Sequence, residues 1–204
     1  MLLSRKLSKA KISHELRMGV NASIVIESAT ATDATVSLAE LAVLDGLTAT
    51  TAEINRATDI STRIVTLAAT GAITQVLHEG KTCILTVVAA ATYTLPAATG
   101  GGGRYRFVVG EVNTSNYVFK SVAGADVMQG TIVGASTGDS ATDAARTWRA
   151  GTSDDTVTLN GTTTGGVDIG DWIEFEDITA TAWAVRGFIT QSGTEATPFS
   201  DTVT

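Results

Sequence analysis

From about residue 62 onward, apolar and polar residues alternate with a period of two. Arg104–Val109 shows this most plainly, with Tyr105, Phe107 and Val109 on one side and Arg104 and Arg106 on the other. Strand backbone sends successive side chains to opposite faces, so this run predicts a half-buried strand. Similar runs predict strands at Arg63–Leu67, Ala72–Leu77, Lys81–Val88, Tyr93–Leu95, Tyr117–Val122 and Val127–Val133. Further on they predict strands at Thr147–Arg149, Thr156–Leu159, Asp171–Ile178 and Ala182–Ile189. Turn signals, among them Thr70-Gly71, Glu79-Gly80, Gly100–Gly103 and Thr163–Gly166, punctuate the series every eight to twelve residues or so. The spacing predicts a mainly β chain folded as a β-sandwich or barrel, jelly-roll-like in outline. A Ser/Thr/Asp/Gly-rich stretch at 134–146 marks the place where this region would divide into two lobes. The tail from Gln191 to Thr204 is polar apart from Pro198-Phe199 and reads as an arm or a frayed end.

Before residue 62 the pattern differs. Leu2, Leu3, Leu7, Ile12 and Leu16 fall at loosely helical intervals and suggest a short amphipathic arm, and Ile24–Ile26 suggests a short strand. Between Thr35 and Ser61 the chain repeats itself: Ser37–Leu41 and Thr50–Ile54 are both [ST]-x-A-E-[LI]. In each copy the hydroxyl can accept from the N–H of the glutamate three residues on. The glutamate carboxylate can in turn accept from the N–H of the hydroxyl residue, which makes a capping box and predicts a short helix. Domain organisation follows: residues 1–61 form an N-terminal arm with two short capped helices, and 62–204 form the β region.

Composition and charge narrow the classes. Threonine supplies 34 of 204 residues, which favours extended backbone, and the few lysines and prolines do not resemble a disordered chain. Arg5, Lys6, Lys9, Lys11 and Arg17 against Glu15 give residues 1–17 a net charge of +4, while the rest carries nine basic and twenty acidic residues, a net of −11. An acidic body repels a phosphate backbone, so nucleic acid is not an expected partner. The five basic residues form a candidate partner-binding arm instead. With Cys83 as the sole cysteine, no intrachain disulfide forms. No apolar run is long enough to predict a membrane-spanning helix, and the N-terminal residues lack the apolar core of a signal peptide.

The repeat resembles a segment that recurs in tail fibres and capsid-associated proteins of tailed bacteriophages. It stands here as Ala39-Glu40-Leu41, Leu44-Asp45-Gly46-Leu47-Thr48-Ala49-Thr50 and Ala52-Glu53-Ile54-Asn55, departing where Ala42 replaces a frequent Asn. Gly165–Val167, Ile169–Trp172, Ala182–Val185 and Thr197–Ser200 likewise resemble the ends of β-structured phage head or fibre proteins. The resemblance implies a structural virion protein, made without a signal peptide and carried on the capsid surface. A decoration or cement protein of this kind works as a homotrimer and binds the major capsid protein. A tail fibre or receptor-binding adhesin module is the alternative it leaves open.

Candidate chemistry is sparse. His14 and His78 lie far apart with no metal-ligand spacing, and no G-x-S-x-G elbow accompanies them. Gly100–Gly103 could suggest a phosphate cradle, but no Walker pattern follows, and a flexible hairpin fits better. Asp168, Asp171, Glu174, Glu176 and Asp177 are the densest acids. Glu174 and Glu176 share one side of a strand, where a glycosidase pair or a calcium site could form. The plainer expectation is a solvated strand face, with Ile173 and Phe175 pointing inward. Trp172 on that acidic side is the candidate interface aromatic. Neither an enzyme nor a cofactor is expected.

Overall fold

A computed structural model describes residues 23–26, 34–37, 47–58, 63–138 and 145–203. The chain divides into two compact units, Met1–Asn55 and Arg56–Thr204. In the first, β1 (Ser23–Ile26) pairs antiparallel with β2 (Ala34–Ser37). Helix α1 (Thr51–Thr58) begins at Asn55's side of the boundary and runs across it. Its start has the geometry its sequence predicts: Thr50 N donates to Glu53 Oε2 at 2.6 Å, and Glu53 N donates to Thr50 Oγ1 at 3.3 Å. The equivalent helix after Ser37 falls at residues 38–46, outside the described residues, as does the basic arm with Arg5, Lys6, Lys9, Lys11 and Arg17.

The second unit is the predicted β-sandwich. After β3 (Ile64–Leu67) come β4 (Gly71–Ala72), helical turn α2 (Gln75–His78), β5 (Thr82–Leu85), β6 (Ala91–Thr94), β7 (Arg104–Val109) and β8 (Tyr117–Lys120). They are followed by β9 (Val127–Ser136), β10 (Arg146–Arg149), β11 (Thr156–Leu159), β12 (Trp172–Thr179), β13 (Ala182–Gln191) and β14 (Phe199–Ser200). One sheet has seven strands in the order β10-β9-β13-β12-β7-β5-β3, and the other has five, β14-β11-β8-β6-β4. Strands from either side of residues 139–144 interleave in the seven-stranded sheet, and both groups contribute to the five-stranded one.

The connectivity is not that of a jelly roll, whose neighbouring strands run antiparallel. From β3 to β8 the chain changes sheet at every step, so β3, β5 and β7 stack in parallel in one sheet, and β4, β6 and β8 stack in parallel in the other. Antiparallel pairing begins only with the later strands, above all the β12–β13 hairpin. The turn expected at Thr70-Gly71 therefore carries the chain from one sheet to the other. The strand expected over Ala72–Leu77 ends early because Thr74, with extended backbone, caps a helical turn by accepting from Leu77 N. Gly100–Gly103 likewise lies in a crossing, from β6 to β7, and is no hairpin. The polar tail is not frayed: Phe199 is buried and pairs with Val157, and Asp155 accepts from Thr202 N and Val203 N at 2.9 and 3.0 Å.

The alternation seen in the sequence delivers the core. Tyr105, Phe107 and Val109 face inward with Ile173 and Phe175, while Tyr93, Tyr117, Phe119, Val157 and Leu159 come from the other sheet. Phe107, Phe119 and Phe175 sit 4.7–5.9 Å apart between ring centroids, and Trp183 meets Tyr105 edge-on at 5.7 Å. Such offset and edge contacts add to the burial that holds two sheets together.

The parallel β9–β13 ladder imposes one strict requirement. Gly130 has φ +135°, and a Cβ there would lie 2.0 Å from the Val185 carbonyl oxygen. Gly130→Ala is expected to cost at least about 2 kcal/mol of unfolding free energy. Urea denaturation checks this; a loss of a few tenths would show that the close approach does not constrain the fold.

Candidate functional site

The acids that drew attention in the sequence go to two destinations. Asp177 shares its parity on β12 with Ile173 and Phe175 and so points inward, toward the crossing that precedes β7. There Thr99 N and Gly100 N donate to its Oδ1 at 2.9 and 2.7 Å, and Thr99 Oγ1 and Gly101 N donate to Oδ2 at 2.6 and 3.2 Å. The glycine-rich segment is thus an anion cradle, and an internal carboxylate fills it. Burial pushes the Asp177 carboxyl up, but donation from Thr99, Gly100 and Gly101 outweighs it and holds the group below the usual carboxylate range. The parity signal for this was present in the sequence; the partner was not, being far away along the chain.

Asp171, at the mouth of β12, is also buried. It accepts from Thr190 N at 2.7 Å, Thr190 Oγ1 at 2.9 Å and Gly166 N at 3.1 Å. Here burial prevails, and the carboxyl is raised despite these donors. Asp168, by contrast, is exposed on the preceding loop.

Glu174 and Glu176 lie on the outer side of the seven-stranded sheet, as their alternation with Ile173 and Phe175 requires. They are not freely solvated: both are mostly covered, and arginines hold them. Arg104 Nη2 and Arg186 Nη2 each lie 2.9 Å from Glu176, one on either carboxylate oxygen, and Arg186 Nη1 lies 3.7 Å from Glu174. The hydrogen bond and charge of Arg104, joined by Arg186, pull the Glu176 carboxyl down. A general acid requires the opposite shift.

Trp172 stands beside them, half-buried. Arg106 stacks over its ring at 4.3 Å from the centroid, and Phe188 leans on it at 5.6 Å. Strand register sets these side chains in three rows across the outer face. One row is apolar: Ile84, Val108, Trp172, Phe188 and Val133. The next is Thr82, Arg106, Glu174, Arg186, Thr131 and Arg149. The third is Arg104, Glu176, Ala184 and Gln129. Phe188 is 58% exposed. Arginine beside tryptophan and phenylalanine is the composition of a protein-contact centre. Sequence reading singled out Trp172 alone; its neighbours Arg106 and Phe188 come from β7 and β13, and only the register joins them.

The other reactive residue types are built in. His78 is buried in α2, where its Nδ1 lies 2.9 Å from the donating N–H of Thr74. Burial lowers its pKa and the nearby Lys81 charge acts the same way, against the Thr74 carbonyl 3.2 Å from Nδ1, which pulls it up. The Cys83 thiol is fully buried, and burial pushes it up to about 11, so it carries almost no thiolate at neutral pH. His14 lies outside the described residues. Among the described residues no group of three or more His, Cys, Asp and Glu side chains is placed to hold a metal ion.

No protein-family model, curated protein or solved structure matches the chain.

Asp177→Asn is expected to lower stability by about 2 kcal/mol at neutral pH, since Asn offers the cradle one neutral acceptor in place of a carboxylate. The folded-state pKa of Asp177 is depressed, so its contribution is present above the unfolded value near 4. It is lost as pH falls through the folded pKa. Thermal melts of both proteins from pH 7 to pH 2 should therefore converge at the acid end; a constant gap would contradict the cradle's role.

Proposed function

We propose that the protein is a structural component of a tailed-phage virion, a capsid decoration or cement protein that acts as a homo-oligomer, most simply a trimer, on the major capsid protein. The virion setting rests on the resemblance of residues 39–55 and 165–200 to phage head and fibre proteins. The observation that carries a contact role is the outer sheet face, where Arg104, Arg106, Arg149 and Arg186 lie in the rows beside Trp172 and Phe188. Its glutamates are paired with arginine rather than left to act as acid and base.

In this reading the protein works through buried area, not chemistry. A specific interface needs more than roughly 1,000 Å² in total. Many weak copies, each bridging neighbouring capsid subunits, together resist the pressure of packaged DNA through multivalency. The basic residues Arg5, Lys6, Lys9, Lys11 and Arg17 would reach an acidic part of the capsid. This localises the protein to the capsid surface and involves no membrane and no nucleic acid.

One feature favours the second reading, a tail fibre or adhesin module. The parallel crossings of β3–β8 build the sandwich by repeating one step, which is how extended β-structured shafts grow. Copy number separates the two. Quantitative mass spectrometry of purified particles should find hundreds of copies per virion, whereas a handful would exclude decoration. Removal of residues 1–17 should weaken attachment to particles at least tenfold while leaving the thermal melt of the β region unchanged. Undiminished attachment would remove the arm from the account.

A further inference from the structure

The outer face is unusual for this chain. The body is strongly acidic, yet the three rows hold four arginines against two glutamates. Arg104 and Arg186 are occupied by Glu176 and Glu174. Arg106 lies over Trp172, and Arg149 makes no ion pair among the described residues. The face therefore offers two uncompensated positive charges beside an apolar row. With strands about 4.8 Å apart and same-face residues about 6.8 Å apart, five strands by three rows span on the order of 500 Å². Matched by an equal area opposite, that reaches about the 1,000 Å² of a specific contact.

The same unit carries a surface of complementary character. Three loops meet at the end of the sandwich where β5 and β7 finish and β12 begins. Gly110 N and Glu111 N both donate to the Leu85 carbonyl, Thr114 N to that of Val88, and Gly170 N to that of Val109. Asn113 Nδ2 donates to the Val87 and Ala89 carbonyls, and Tyr117 Oη to those of Val87 and Glu111, so these loops are a built tip. The tip exposes Val88, Val112 and Ile169, the last at 69%, together with the acids Glu111 and Asp168. It is apolar and acidic where the face is apolar and basic.

We infer that the protein associates with itself head to tail, the Val88/Val112/Ile169 tip of one copy seating on the Trp172/Phe188 face of the next, with Glu111 and Asp168 meeting Arg106 and Arg149. The occupant of the face is thus a second copy of this chain. Face against face would oppose arginine with arginine, so a two-fold contact is disfavoured electrostatically. A heterologous contact, repeated, closes into a ring where its rotation divides a full turn, and the oligomer of the proposed function requires that closure. The inference deepens the oligomeric part of the proposed function and rests on it, and it is independent of which capsid surface the ring would cover.

Sedimentation velocity of the full chain tests it, with thermal melts confirming that each variant folds. The wild type is expected to form a closed oligomer that weakens with salt. Arg106→Glu with Arg149→Glu, and separately Glu111→Lys with Asp168→Lys, should each raise the dissociation constant at least a hundredfold. Phe188→Ser, at an exposed position, should do the same without altering charge. In an equimolar mixture of the two charge-reversed variants the native tip of one matches the native face of the other, and the two reversed surfaces also match, so hetero-oligomers in which the variants alternate should form although neither variant assembles alone. All four reversals in one chain should restore the ring. A wild type that stays monomeric up to millimolar concentration would overturn the oligomeric reading itself. An oligomer indifferent to both reversals, or a mixture that remains monomeric, would overturn this interface alone.

Discussion

Each time the chain leaves one sheet for the other, backbone N–H groups in the crossing lose their ladder partners. In a sandwich whose first six strands change sheet at every step, that problem recurs throughout. Backbone carbonyls such as those of Leu85 and Val88 meet part of it, and buried carboxylates meet it in the β6–β7 and β11–β12 crossings and at the C-terminal end. Asp177 takes the amides of the β6–β7 crossing, Asp171 those of Gly166 and Thr190, Asp126 that of Ala98, and Asp155 those of the C-terminal residues Thr202 and Val203. Charged acceptors bind amides more strongly than neutral ones, which suits segments with little apolar burial of their own. These carboxylates pin the β6–β7 and β11–β12 crossings and the C-terminal end against the sheets that enclose the aromatic core.

That constraint decides what remains for function. Acids consumed by loops are not available for catalysis or metal binding, and those on the outer face are neutralised by Arg104 and Arg186. What the molecule displays instead is a flat sheet surface with aromatic, aliphatic and guanidinium groups in adjacent rows, and a loop tip of opposite charge. Both suit the contact role proposed above. An arginine that stacks on Trp172 is held in place before a partner arrives, so less conformational entropy is lost on docking.

The sequence disclosed the elements well and their connections poorly. Alternation at Arg104–Val109 and over β12 identified the inward residues correctly, because a period-two pattern is a local consequence of backbone geometry. The Thr50–Glu53 capping box was legible for the same reason. Whether a turn such as Thr70-Gly71 folds a hairpin or carries the chain across to the other sheet depends on which strand receives the next segment, and no local pattern encodes that. The outer face shows the same limit. Trp172 stood out alone, but Arg106 and Phe188 become its neighbours only through the β7–β12–β13 register.

The central claim is that Asp171, Glu174, Glu176 and Asp177 serve structure, in keeping with the proposed contact role. Carbon-detected NMR titration of the carboxyl groups tests it most directly. Asp177 and Glu176 should titrate below the ordinary carboxylate range near 4 and Asp171 above it. A Glu176 that instead titrated near 6 or 7, as a working general acid does, would contradict the account.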